Sequence, residues 1–209
     1  MKNVLSSKSL FSVLLSSGLL AFTLTSCACT DNRRPEVKEN QADNSQEVAQ
    51  IGSLKSPEKS VHKAVAKIHP LQGEKISGIV TFTKVPEGIK IIADVQGLKP
   101  GKHGFHVHEH GDCSGADGMK AGGHFNPTDS KHGGPDSAER HVGDFGNLEA
   151  DEKGRAYYER VDTLITFEGP NSILDKSIII HADPDDFVTQ PTGNSGARIG
   201  CAKIEAVKE

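Results

Sequence analysis

Seven of the chain's ten histidines fall between His103 and His141, a density that asks for a chemical cause. Gly104-Phe105-His106-Val107-His108 reads as a strand. Side chains alternate faces along a strand, so His106 and His108 point one way while Phe105 and Val107 point the other. Two imidazoles on one face make half a metal site, although alone the pattern also fits a polar strand face. Further ligands are offered by Gly122-Gly123-His124-Phe125-Asn126-Pro127, His132-Gly133-Gly134-Pro135, Arg140-His141-Val142-Gly143-Asp144 and Ile180-His181. Glycines beside these histidines let the backbone turn tightly and gather ligands from distant positions.

Those ligands need a rigid frame, and after Val61 the chain offers one of strands. Short runs with β-branched residues span Ile76–Thr83, Gly88–Val95, Arg155–Val161, Ser177–His181 and Arg198–Val207. Turn signals separate them at Pro86-Glu87-Gly88, Lys99-Pro100-Gly101, Asp151-Glu152-Lys153-Gly154 and Glu168-Gly169-Pro170. Strands at this spacing predict an all-β sandwich or barrel. Twenty-two glycines, ten prolines and no tryptophan agree with that class. Two intervals, about 109–140 and 182–197, are longer than hairpins need and are expected to be functional loops. A net charge of −4 with no basic stripe excludes nucleic-acid binding as the expected role. The length of 209 residues fits one domain with extensions.

The first residues read as an address. Lys2 and Lys8 precede Leu10–Leu24, where ten of fifteen residues are apolar and none is charged. This is the length of a signal-peptide core and short of the roughly 20 apolar residues of a spanning helix. Leu24-Thr25-Ser26-Cys27 resembles the bacterial lipobox, which implies lipidation of Cys27; the plainer alternative leaves Cys27 and Cys29 as thiols after secretory cleavage. Residues 1–26 are therefore expected to be a lipoprotein signal, with the loss of two lysines leaving a charge of −6. Residues 27–60 are polar and without period, the composition of a flexible tether, with a short helix near Gln41–Ile51 as the alternative. Residues 61–209 are expected to form the globular domain on the periplasmic side of a bacterial envelope, lipid-anchored to a membrane.

The segments GFHVHEHGD, GGHFNP, KHGGP, ERHVGDFGN and GNSGARIGC, in that order and spacing, resemble the copper/zinc superoxide dismutases over about 61–208. The resemblance implies a Greek-key flattened β-barrel with two long functional loops, holding one copper and one zinc per subunit. It implies copper on His106, His108, His124 and His181, and zinc on His124, His132, His141 and Asp144, with His124 shared. Three imidazoles and a carboxylate give a closed, structural zinc site. Four imidazoles suit Cu(II) and leave an axial position open. The implied activity is dismutation of superoxide to dioxygen and hydrogen peroxide, with His124 leaving copper and taking a proton in the reduced state. Arg198 matches the arginine that holds the anion, and Asp185 the carboxylate linking His106 to His132, with Asp183 and Asp186 as competitors. His103 matches a histidine bonded to backbone; His62, His69 and His110 are expected at the surface. The resemblance also implies a Cys113–Cys201 disulfide.

The segment between Asp185 and Arg198 is short and lacks the lysines and glutamates that guide superoxide in eukaryotic cytosolic members. Lys120 and Lys131 are the candidates for that role. His110 occupies a position where an aromatic often packs at the cytosolic dimer contact, so a homodimer is entertained without assuming that surface. A copper or zinc storage module on the same scaffold is the runner-up reading, and a structural or adhesive sandwich the third; Arg198 beside an open metal face favours catalysis.

Overall fold

Eight strands follow one another in the computed structural model, which describes residues 60–208. They are β1 (Lys63–Pro70), β2 (Ser77–Val85), β3 (Gly88–Gln96), β4 (Gly101–His108), β5 (Asp144–Ala150), β6 (Arg155–Asp162), β7 (Ser177–His181) and β8 (Arg198–Ala206). All neighbours pair antiparallel and close a barrel in the order β1-β2-β3-β6-β5-β4-β7-β8. β4, β5 and β6 are successive antiparallel neighbours, β5 and β6 joined by a short turn, and β7 returns beside β4, which is a Greek key. The only helix among the described residues is a 3₁₀ turn at Met119–Ala121.

Alternation places the core. β2 and β3 turn Val80, Phe82, Ile89, Ile91, Ala93 and Val95 inward and leave the residues between them at least partly exposed. β4 and β7 differ: His103–His108 and all of Ser177–His181 are buried on both faces. Phe105, Val107, Ile178 and Ile180 enter the barrel core, while the outer faces of these strands lie under the two long loops, residues 109–143 and 182–197. A satellite cluster of Leu71, Ala121, Ile179 and Cys201 fills the space between wall and first loop. There Cys113 is bonded to Cys201, 88 positions away, with Cα atoms 5.7 Å apart, pinning the loop to β8.

The lipobox, Cys27, Cys29, and the expected signal and tether, apart from Ser60, lie outside the described residues. Two strands went unmarked in the sequence reading. β1 turns only Ala64, Ala66 and Ile68 inward, two of them small. β5 carries Asp144, Gly146 at φ 82° and Asn147, residue types that signal a turn, and is a strand because it pairs with β4.

Candidate metal centre

The site is built on the outer wall where the ladder is irregular. Register shifts occur between Gly104 and His106 in the β4–β5 pair and between Ile180 and His181 in the β7–β8 pair. Such bulges re-aim side chains beside functional sites. The first loop is laid along the end of β4: Phe125 N–H donates to Val107 O at 2.8 Å, Val107 N–H to Gly143 O at 2.9 Å, and His108 bridges to His124. Strand, loop and neighbouring strand thereby bring His106, His108, His124 and His181 into one buried cluster, their ligand atoms all within 4.8 Å of one another. His124, His132, His141 and Asp144 form a second buried cluster on the same criterion, and His124 belongs to both.

Hydrogen bonds reveal which nitrogen each ring presents. His108 Nδ1 faces Gly122 O at 3.0 Å and His181 Nδ1 faces Gly196 O at 3.2 Å, so each donates there and turns Nε2 inward. Those two Nε2 atoms lie 3.4 Å apart, an arrangement of facing lone pairs that a cation between them would satisfy. His106 donates from Nε2 to Asp185 Oδ2 at 2.8 Å, leaving Nδ1 buried without a hydrogen-bond partner, as is His124 Nε2. A buried polar atom without a partner costs about 1–3 kcal/mol. Four nitrogens therefore converge on one point, a donor set suited to Cu(II).

In the second cluster Asp144 Oδ1 lies 2.8 Å from His124 Nδ1 and 3.2 Å from His141 Nδ1, and Oδ2 lies 3.1 Å from His132 Nδ1. That last contact is not directed as a hydrogen bond, and His132 Nδ1 is also orphaned. Asp144 is itself oriented by the Gly133 and His141 N–H groups at 3.1 and 2.9 Å. Three imidazoles and one carboxylate are the donor set of a closed zinc site.

Electrostatics prepares the rings for ligation. Burial holds His106, His108, His124 and His181 below their ordinary value, His124 down to about 3, so these rings are neutral as metal ligands must be. Burial also opposes charge on His132, but the adjacent Asp144 and Asp185 carboxylates outweigh it and raise it to about 9. Burial works against Asp144 and Asp185 too, and histidine hydrogen bonds overcome it, holding both carboxyls well below the usual range.

Asp185 is placed by a pair of bonds that the sequence reading did not anticipate. Asn147 on β5 donates from Nδ2 to Asp185 O at 3.0 Å and accepts Asp185 N–H at 2.7 Å. The Asp185 side chain then joins His106 Nε2 to His132 Nε2, each at 2.8 Å. Gly193, at φ 64°, lies against this bridge, where a Cβ would overlap the Asp185 carboxylate and come within 2.6 Å of His132 Nε2. Of the competing carboxylates, Asp186 accepts from Val188 and Thr189 N–H, and Asp183 lies against Gly196; neither is joined to a histidine ring.

Arg198 starts β8 opposite His181 and is half-buried. Its Nη1 donates to Gly118 O at 2.6 Å and its Nη2 to Gly122 O at 2.7 Å, the carbonyl that also takes His108 Nδ1. Two of its five N–H groups are accounted for, and the rest can hold an anion. His103 sits between the carbonyls of His181 and Lys99 at 2.9 and 2.8 Å. His62, His69 and His110 are exposed, as are Lys120 and Lys131.

A closed Greek-key barrel whose outer wall carries two adjoining clusters of candidate metal ligands, sharing one imidazole and with an arginine close by, is the framework of a two-metal protein. Comparison supplies the family: its model, described as copper/zinc superoxide dismutase (SODC), matches residues 76–204, and the chain belongs to that family. It is 46% identical over 158 residues to the superoxide dismutase [Cu-Zn] of Paramecium bursaria Chlorella virus 1, covering 72% of this chain and 83% of the relative. It is 42% identical over 145 residues to the superoxide dismutase [Cu-Zn] of Onchocerca volvulus, covering 64% of this chain and 91% of the relative. Among solved structures it resembles the clock protein EA4, with a TM-score of 0.65 and 38% identity over 70% of this chain and 96% of the other.

Proposed function

We propose that the first cluster holds copper and the second zinc, on opposite nitrogens of His124, and that Arg198 holds superoxide at the copper face. As a copper/zinc superoxide dismutase the protein is an oxidoreductase that converts superoxide to dioxygen and hydrogen peroxide. Copper held by His106, His108, His124 and His181 would supply a one-electron couple, and zinc held by His124, His132, His141 and Asp144 a fixed charge. The chain's residues do the rest. Arg198 positions the anion and stabilises developing peroxide charge with N–H groups preorganised by two carbonyls. His124 Nε2 is the atom that holds a proton between the half-reactions, while its Nδ1 stays in the second cluster. Asp185 keeps His106 and His132 in the tautomers that present Nδ1. Lys120 and Lys131, exposed on the loop that carries His124 and His132, provide the positive field that raises the on-rate of an anion toward a negatively charged protein.

The observation that carries this reading is the division of one ring: His124 directs Nδ1 at Asp144 and leaves Nε2 buried without a partner beside His106, their ring centroids 4.0 Å apart. The storage alternative predicts metal uptake without turnover. Superoxide removal should accompany loading with both metals, fall in Arg198→Ala with metal content retained, and vanish with copper content in His181→Ala. Metal uptake by the unaltered protein without superoxide removal would leave storage.

Residues 1–26 act as a lipoprotein signal, Cys27 takes the lipid, and residues 27–60 tether domain 61–209 on the periplasmic side of a bacterial envelope. The uncharged apolar run and Leu24-Thr25-Ser26-Cys27 support it. Among the described residues no helix is long and apolar enough to cross a membrane. Cys27→Ser should shift the protein from the membrane to the soluble fraction; unchanged partition contradicts the anchor. A homodimer belongs to the proposal without an assigned surface, and sedimentation at micromolar concentration decides it.

A further inference from the structure

We infer that Gln190 is a positioning residue for the zinc ligand His132: from the opposite loop, its side-chain amide holds both main-chain polar atoms of that residue. The inference rests on the reading of His132 as a zinc ligand. Gln190 Oε1 accepts the His132 N–H at 2.8 Å, and Gln190 Nε2 donates to His132 O at 3.0 Å and to Val188 O at 3.2 Å. Among the described residues His132 makes no main-chain to main-chain hydrogen bond, and it lies on a stretch without regular structure. The residue is only 4% exposed, so its N–H and C=O cannot rely on water and must be paired within the protein. A primary amide offers one acceptor and two donors, so Gln190 stands in for the strand neighbour that this segment lacks.

The clamp completes a chain of supports. Asn147 on β5 fixes the Asp185 main chain, Asp185 fixes the His132 ring at Nε2, and Gln190 fixes the His132 main chain. A carboxylate on Nε2 alone leaves the ring free to swing with its backbone. Only when Cα is also held does Nδ1 keep the sub-ångström placement that a metal site requires. Phe187 adds apolar contact between the same loops, its Cγ 3.2 Å from where a Cβ would stand on Gly134. His106, His108 and His181 sit on strands, and their backbones do not depend on Gln190. Loss of the clamp should therefore loosen the second cluster selectively.

The test compares the Cu/Zn-loaded protein with Gln190→Ala and Gln190→Glu. Glu keeps the acceptor for His132 N–H but sets a carboxylate oxygen against His132 O. Gln190 is exposed, so both variants should fold, which thermal unfolding of the metal-free protein checks. Expected are zinc dissociation to a chelator about 10-fold faster, in the range known for residues supporting metal ligands, unchanged copper retention, and faster amide exchange at His132 in the zinc-loaded, copper-free protein. Gln190→Glu should fall between the parent and Gln190→Ala in His132 amide exchange. Unchanged zinc dissociation overturns the inference, as does parallel loss of both metals with a lowered midpoint, which marks a general structural role. Retention of zinc by His132→Ala is a separate failure, that of the ligand assignment itself.

Discussion

Replacing Asp185 with asparagine changes one atom of the site and leaves its volume intact. Asp185 Oδ2 and Oδ1 each lie 2.8 Å from a ring Nε2, of His106 and His132, and all these side chains are 0% exposed. Both rings must donate there, because their Nδ1 atoms are the ones left unpartnered toward the clusters. A carboxylate accepts two such bonds. An amide has a single acceptor oxygen, so one ring N–H must face an NH₂ group. A buried donor left without an acceptor costs about 1–3 kcal/mol, and at 1.4 kcal/mol per decade the affected metal should bind roughly 5- to 150-fold more weakly. Competition with chelators of known affinity measures copper and zinc separately. Thermal unfolding of the metal-free variant distinguishes a ligand effect from loss of fold. Dissociation constants for both metals within about twofold of the parent, under ~0.4 kcal/mol, would refute the reasoning.

Gly193→Ala should have a related but harsher effect. A Cβ there overlaps the Asp185 carboxylate, and φ 64° itself disfavours alanine by about 1–2 kcal/mol; zinc content at unchanged copper content near the parent level contradicts this. The metal-free domain should be most stable near pH 6.5. The depressed histidines His106, His108, His124 and His181 bind fewer protons folded than unfolded, so stability falls on acidification below 6.5, each contributing a slope of up to about 1.4 kcal/mol per pH unit. His132, raised to about 9, gives the opposite limb: its contribution is complete below 6.5 and is lost as pH rises toward 9. Urea unfolding from pH 5 to 9 checks both limbs, and a flat profile rejects them. Lys120→Glu with Lys131→Glu should lower kcat/KM several-fold at low salt, with the difference shrinking as ionic strength rises; an identical salt dependence removes these lysines from substrate guidance.

Much of the site was legible because its chemistry is local. The alternation through Phe105, His106, Val107 and His108 puts the two histidines outside the barrel and the two apolar residues at 0% exposure inside it. The glycine-flanked histidines could be read as ligands because glycine lets a loop reach inward at those points. What could not be read depends on distant pairing. β5 is a strand through its ladder with β4, although Asp144, Gly146 and Asn147 favour turns. Asn147 and Gln190 are ordinary amides in sequence, and their partners lie 38 and 58 positions away. No local period announces such bonds. Gly193 likewise gains its meaning only from the carboxylate folded against it.

Anomalous diffraction from crystals of the loaded protein, collected at the copper and zinc edges, addresses the shared ring most directly. Two separate peaks are expected, zinc about 2.0–2.1 Å from His124 Nδ1 and copper bonded to His124 Nε2, with His106, His108 and His181 around the copper. Both metals on one side of the ring, or a His124 ring bonded to neither, would contradict that sharing.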